Sequence, residues 1–253
     1  MDTSTTPETP TPPTPSDALL ELIDLARERE QTLVAGFDAA ARTTVGTVEV
    51  WAPKDHFVHL AVWAAYQARR LEASATGNPP PTRPADNETV FLEHRDAPWE
   101  TIWADMMQAL DETAAAVKRV SDEDLTALDP NGRSLFSLTL NNLYLHPISH
   151  LAHLYAERGD EASAEQVQQE AVAAMARLFS KGELYANTIY GELYAGAIYE
   201  LGCFYAKRGR SAEAIAQVRE ALAANPKLID AAKEDADLAS LHALPEYQAL
   251  YTA

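Results

Sequence analysis

Apolar residues return every three or four positions along nearly the whole chain, and no stretch alternates as a half-buried strand would. Leu19, Ile23, Ala26, Leu33, Phe37 and Ala41 trace one face of a long first helix, for which Ser16 and Asp17 are suitable caps. The polar, β-branched run "TTVGTVEV" interrupts the rhythm. A second helix starts in "WAPKDHFVHLAVW", with Pro53 in the first turn, where its missing N–H is no loss. It stops before "TGNPPPTRPADN", which reads as a connection or a lid. A third helix follows Pro98 and carries Trp99, Trp103, Met106, Leu110, Thr113, Val117 and Val120 at the same spacing, until "SDEDL" ends it. A fourth runs from Ser134 to Arg158. Four long amphipathic helices, two of them joined by long crossings, predict an all-α fold built on a helical bundle.

Beyond the fourth helix the chain repeats itself. Residues 151–174 align without a gap on residues 201–224, and Leu151, Tyr155, Arg158, Gly159, Ala164, Glu170 and Ala171 each recur 50 positions later. The second copy resembles a tetratricopeptide repeat, with Leu201, Gly202, Tyr205, Ala214, Ala221 and Pro226 at the small, aromatic and helix-ending places of such a helical hairpin. A tyrosine-rich insertion, "GELYANTIYGELYAG", separates the copies. Its Tyr185, Tyr190, Tyr194 and Tyr199 offer either interhelical packing or a ligand face. "EDADLASLHALPEYQALY" resembles the closing helix that follows such repeats. Since the fourth helix also opens the repeat, the two parts should share one continuous helix and not swing freely.

Charge and composition exclude some functions. The formal net charge of −18 repels phosphate backbones and anionic lipid, and the basic runs at 68–70 and 207–210 are short and lie at helix ends, where cations belong in any case. Neither a nucleic-acid nor a membrane partner is therefore expected. No apolar run approaches the roughly 20 residues that a membrane helix needs. Residues 1–16 are Thr/Pro-rich, lack the basic start and apolar stretch of a signal peptide, and read as a disordered tail. The single cysteine, Cys203, permits no disulfide within the chain and falls at a helix-packing position, as a small hydrophobe would. The default location is the cytoplasm.

Three of the seven histidines lie within "NNLYLHPISHLAHLY". His146 and His150 are one helical turn apart on one face, the spacing at which two imidazoles grip one ion. A third ligand has to come from another helix, and His59, inward by the rhythm of the second helix, is the best candidate. Three neutral imidazoles leave coordination positions open, the pattern of catalytic rather than closed structural sites, and they suit zinc, nickel, iron or copper. The alternative is that all three are hydrogen-bonded core residues. His153 competes as a ligand but also occupies a packing position of the repeat. His56 reads as a surface or outer-shell residue, and His94 and His242 lie in polar surroundings. Asp55, one turn before His59, either orients that imidazole or caps the helix. Trp63, Tyr66, Trp99, Trp103 and Tyr144 line an apolar pocket or are ordinary core. Pro147 should kink the fourth helix and could turn His146 away from an ion.

The two histidine segments resemble the signature segments of the DinB-like superfamily of four-helix bundles, and most closely its ClbS/DfsB branch. Trp51, Pro53, Lys54, Asp55, His59, Leu60 and Trp63 match that branch on its second helix, with Ala52 where serine is usual. Asn142, Tyr144, His146 and His150 match it on the fourth. "DNETVFLEHRDAPWE" is similar to the segment leading into its third helix. The likeness covers residues 17–158, and the repeat-like extension covers 151–253. It implies a divalent metal, zinc, nickel or iron, held by His59, His146 and His150, and a small electrophilic or thiol-conjugated substrate acted on by a hydrolase or thiol transferase, as in detoxification or self-resistance. It assigns no separate general base. The competing expectations are a non-catalytic interaction module, whose repeats bind a protein partner or a second copy of the chain, and a protein that sequesters a toxin without turning it over.

Overall fold

The computed structural model describes residues 13–179 and 188–251. The Thr/Pro-rich stretch 1–12, Tyr185 and the side chain of Tyr190 lie outside them. Among the described residues there is helix and no strand.

Helix α1 (Pro15–Ala35) begins two residues earlier than Ser16 and Asp17 suggest, because Thr14 is the cap: its Oγ1 accepts from the Asp17 amide at 3.1 Å. It is also shorter than its apolar rhythm implies. Gly36 ends it, and Asp38 starts a separate short helix, α2 (Ala39–Thr43), by accepting from the Ala41 amide at 2.8 Å. Phe37 stays buried between the two, so the apolar phase continues although the helix does not.

Helix α3 (Pro53–Thr76) has Pro53 at its start and Gly77, at φ 69°, just past its end. The long connection contains a helix that periodicity did not single out, α4 (Asn87–His94), capped by Asp86 and anchored by buried Val90 and Phe91. Helix α5 (Trp99–Val117) and the short α6 (Asp122–Thr126) follow. The fourth long helix is one run in three parts: α7 (Leu135–Leu140), a π-helical turn (Asn141–Leu145) and α8 (His146–Glu157). Ser134 caps it.

Contacts at the two ends fix the directions. At one end the Phe37 and Phe57 rings lie 5.7 Å apart, Phe57 and Trp99 5.4 Å apart, and the Arg158 guanidinium donates to the Gly36 carbonyl at 2.9 Å. At the other end the Ser16 amide donates to Asp122 at 2.9 Å, and Arg119 pairs with Glu72. Helices α1 and α7–α8 therefore run one way and α3 and α5 the other, and the α3–α5 connection travels back along the whole bundle.

Helix α8 pairs with α9 (Glu161–Phe179), and α10 (Thr188–Lys207) pairs with α11 (Ser211–Ala224). The sequence repeat is a repeat of hydrogen bonds. Arg158 and Asp160 donate to the Tyr155 carbonyl and Gly159 to that of Ala156; Arg208 and Arg210 donate to the Tyr205 carbonyl and Gly209 to that of Ala206. Both turns place the glycine at positive φ, 76° and 70°, where a side chain is strained. Arg210 and Tyr205 reach back to Glu165, at 2.5 and 3.1 Å, and tie the hairpins together. Helix α9 is tied to α1 by the ion pairs Arg29–Glu170 and Arg177–Glu21.

A single closing helix at the C-terminal end is not found. A 3-10 turn (Pro226–Leu228) and α12 (Ile229–Glu234) come first, and within 234–251 Asp235 and Pro245 divide the chain into a second 3-10 turn (Ala236–Leu238), α13 (Pro245–Gln248) and a last turn to Tyr251. Leu238, Leu241 and Tyr247 are nevertheless buried there, and one hydrophobic cluster extends from Ala18 to Tyr247. No described helix is long and apolar enough to cross a membrane.

Candidate metal centre

The fold brings His59, His146 and His150 together. His146 Nε2 lies 3.2 Å from His59 Nε2 and 2.9 Å from His150 Nε2, and one nitrogen from each of the three rings falls within 4.8 Å of the others. A tetrahedral ion with bonds of about 2.0–2.1 Å separates its ligand nitrogens by about 3.3 Å. The trio therefore fits a metal in donor type and in spacing: three histidines close together that could hold an ion. His59 is buried, and His146 and His150 are half-buried.

Proline does not divert His146. Its ring would collide with the carbonyl four residues back, that of Leu143, in a regular α-helix. The π-helical turn lies directly before it, and the His146 amide donates to Asn141, five residues back. One extra residue is absorbed in the turn, and His146 faces His59 and His150.

Electrostatics keep the rings in their ligand form. Burial, and secondly the neighbouring imidazoles, hold His59 down at about 3 and push His150 well below the ordinary histidine range; burial also lowers His146. Neutral imidazoles carry the lone pair that a metal needs.

Trp51 closes over the trio. Its ring centroid is 5.1 Å from that of His59, and it lies parallel to His150 within 7° at 6.4 Å. Asp55 does not orient His59. Its Oδ2 accepts from the amides of Gly46 and Ala52, at 2.7 and 2.9 Å, and so caps α3 and draws the loop before it tight. Its Oδ1 and the Nδ1 of His59, one turn on, are both buried and without a hydrogen-bond partner among the described residues. Gly46 is required by this closure, since a Cβ there would collide with the Val50 carbonyl oxygen and meet the Ala52 nitrogen at 2.6 Å. Gly46→Ala should therefore destabilise the fold by about 2 kcal/mol, read by urea unfolding, because only backbone movement relieves the contact.

The remaining candidates separate. His56 is buried, with its Nδ1 2.7 Å from Nδ1 of His150; the i, i+3 spacing of His56 and His59 opposite the ladder on α8 was the signal for it. His153 is exposed and paired with Glu157 at 3.2 Å, its ring 5.3 Å from that of His56. His94 lines a groove between α3 and α5, and the His242 ring is tilted by 30° against that of Tyr247. Trp99 and Trp103 pack on Phe57 as core, Tyr144 is buried, and Tyr66 stands edge-on to Trp63, whose ring is 6.2 Å from that of His59. Cys203 is buried, and burial pushes its thiol up. The hydroxyl of Tyr199 donates to Asp235 at 2.7 Å and that of Tyr194 to Glu220 at 3.2 Å. The α3–α5 groove, of about 450 Å³, and a cleft of about 590 Å³ beside Lys54 and Trp99 are lined by none of the three histidines.

Fold and site together define an all-α protein with a three-histidine candidate metal centre between its second and fourth long helices. Comparison of the chain with family models, with curated proteins and with solved structures finds no match.

Proposed function

We propose that the chain is a metal-dependent enzyme of the DinB-like kind, acting in the cytoplasm on a small electrophilic or thiol-conjugated molecule as a hydrolase or thiol transferase. The observation that carries this reading is the convergence of the three imidazoles: His146 Nε2 lies 3.2 Å from His59 and 2.9 Å from His150, and one nitrogen of each ring falls within 4.8 Å of the others. It is supported by the histidine motifs on the second and fourth long helices. His59, His146 and His150 would hold the ion, a zinc, nickel or iron(II). A divalent ion in such a setting lowers the pKa of a coordinated water or thiol and polarises the substrate. Trp51 contributes an aromatic wall beside it, suited to an apolar substrate body. The helical extension, from α9 onward, we assign as the surface for a second copy of the chain or a protein partner, with the half-buried Leu193 and Tyr194 as its contact.

Elemental analysis of the purified protein tests the reading. The expected result is about one divalent ion per chain, together with turnover in a screen of epoxides and activated esters with and without added thiol. Protein that stays metal-free after incubation with zinc, nickel and iron(II) would remove the enzyme and leave the interaction module.

A further inference from the structure

His56 stands behind the trio. Its Nδ1 lies 2.7 Å from Nδ1 of His150, while His150 turns its other nitrogen, Nε2, to His146 at 2.9 Å. The two nitrogens of an imidazole lie on different edges of the ring. His56 therefore meets the edge of His150 other than the one turned to His146, and is no fourth ligand.

We propose that His56 is the positioning residue of this centre: its Nδ1 accepts the hydrogen of His150 Nδ1–H, which fixes the His150 tautomer and leaves the Nε2 lone pair facing His59 and His146. The inference rests on reading the trio as a metal site. A short contact between two neutral imidazoles needs one N–H and one lone pair. If His56 donated instead, His150 would carry its hydrogen on Nε2 and point it at His146, where a ligand must offer a lone pair. A ligating histidine commonly donates its second N–H to a carboxylate or carbonyl. Here the neighbouring acid on α3, Asp55, turns its Oδ2 to the amides of Gly46 and Ala52, and the imidazole next to it is the group that meets His150. Packing holds it there: His56 is 7% exposed, with Trp51 edge-on at 5.4 Å and His153 at 5.3 Å.

Two measurements on the full-length chain test this. Zinc and cobalt(II) titrations should show His56→Ala binding 10- to 100-fold more weakly than wild type. His56→Gln, which keeps an acceptor, should stay within a few-fold of wild type. Equal affinity in His56→Ala, or equal loss in both variants, would overturn the proposal, the latter because it would mark a space-filling role. Nitrogen-15 NMR of the metal-free protein should find the His150 hydrogen on Nδ1 in wild type and displaced from it in His56→Ala. A His150 hydrogen on Nε2 in wild type would overturn the proposal whatever metal binds. Wild type that binds neither zinc nor cobalt would instead sink the metal reading, and this inference with it.

Discussion

At pH 9, Glu30→Gln should be more stable than wild type by about 5 kcal/mol, and at pH 4 the two should unfold together. Glu30 occupies the apolar stripe of α1 with Ala26, Leu33 and Val34 on either side; it is 0% exposed, and neither carboxylate oxygen has a hydrogen-bond partner among the described residues. Burial raises its pKa from 4.5 to about 8, only partly opposed by Arg27. The sign follows from proton counting. Between those two values the folded chain holds a proton on Glu30 that the unfolded chain has released, so stability falls as pH rises from 4.5 and levels off above 8. Glutamine has the same shape and no charge to lose. Urea unfolding of both proteins at several pH values reads the difference directly, since other titrating groups are common to both. A difference that does not change with pH would mean that Glu30 is ionised in the folded protein and has found a partner.

Zinc at a hundred times its dissociation constant should stabilise the wild-type protein by about 2.7 kcal/mol, and the same concentration should leave His150→Ala unmoved. His150 is the residue to remove because both of its nitrogens are engaged, one with His146 and one with His56, and two imidazoles are a poor hold on an ion. Thermal unfolding with and without zinc provides the measurement. An equal rise in the variant would place the zinc elsewhere, the exposed His153–Glu157 pair on α8 being the nearest alternative.

The two predictions differ in how far the sequence foretold them. His59, His146 and His150 could be singled out in advance because i, i+4 spacing and apolar phase are properties of one helix at a time. What lies across from a helix face is not. His56 looked like a residue near a helix start, and only the register of α3 against α8 shows that it backs His150. Glu30 is hidden in the sequence for a similar reason: it keeps the rhythm of Leu19, Ile23, Ala26 and Leu33 but is not apolar, and a period of hydrophobic residues alone skips it. Asp55 had two readings of equal merit, and the loop folding back from Gly46 decides for capping. Helix stops are the other weak point. Gly36 and Asp38 carry end and start signals inside an uninterrupted apolar pattern, and Asp235 and Pro245 divide what reads as one closing helix. Pro147 misled in the opposite direction. Sequence alone marks where a proline will disturb a helix, and the π-helical turn that accommodates it depends on what the neighbouring helices hold in place.

The return of the chain along the bundle between α3 and α5 has a kinetic consequence. Parallel neighbours cannot pair by a short turn, so α5 has to be delivered to the correct end of α3 before their shared face can close, and such non-local closure slows folding. The histidine pairs are more remote still, 87 residues between His59 and His146 and 94 between His56 and His150. Unlike the ion of a zinc finger, which organises a short loop at the outset, an ion here would meet three converging ligands only after the fourth long helix has docked. It would act as a latch on a nearly finished structure, slowing its unfolding more than it speeds its assembly.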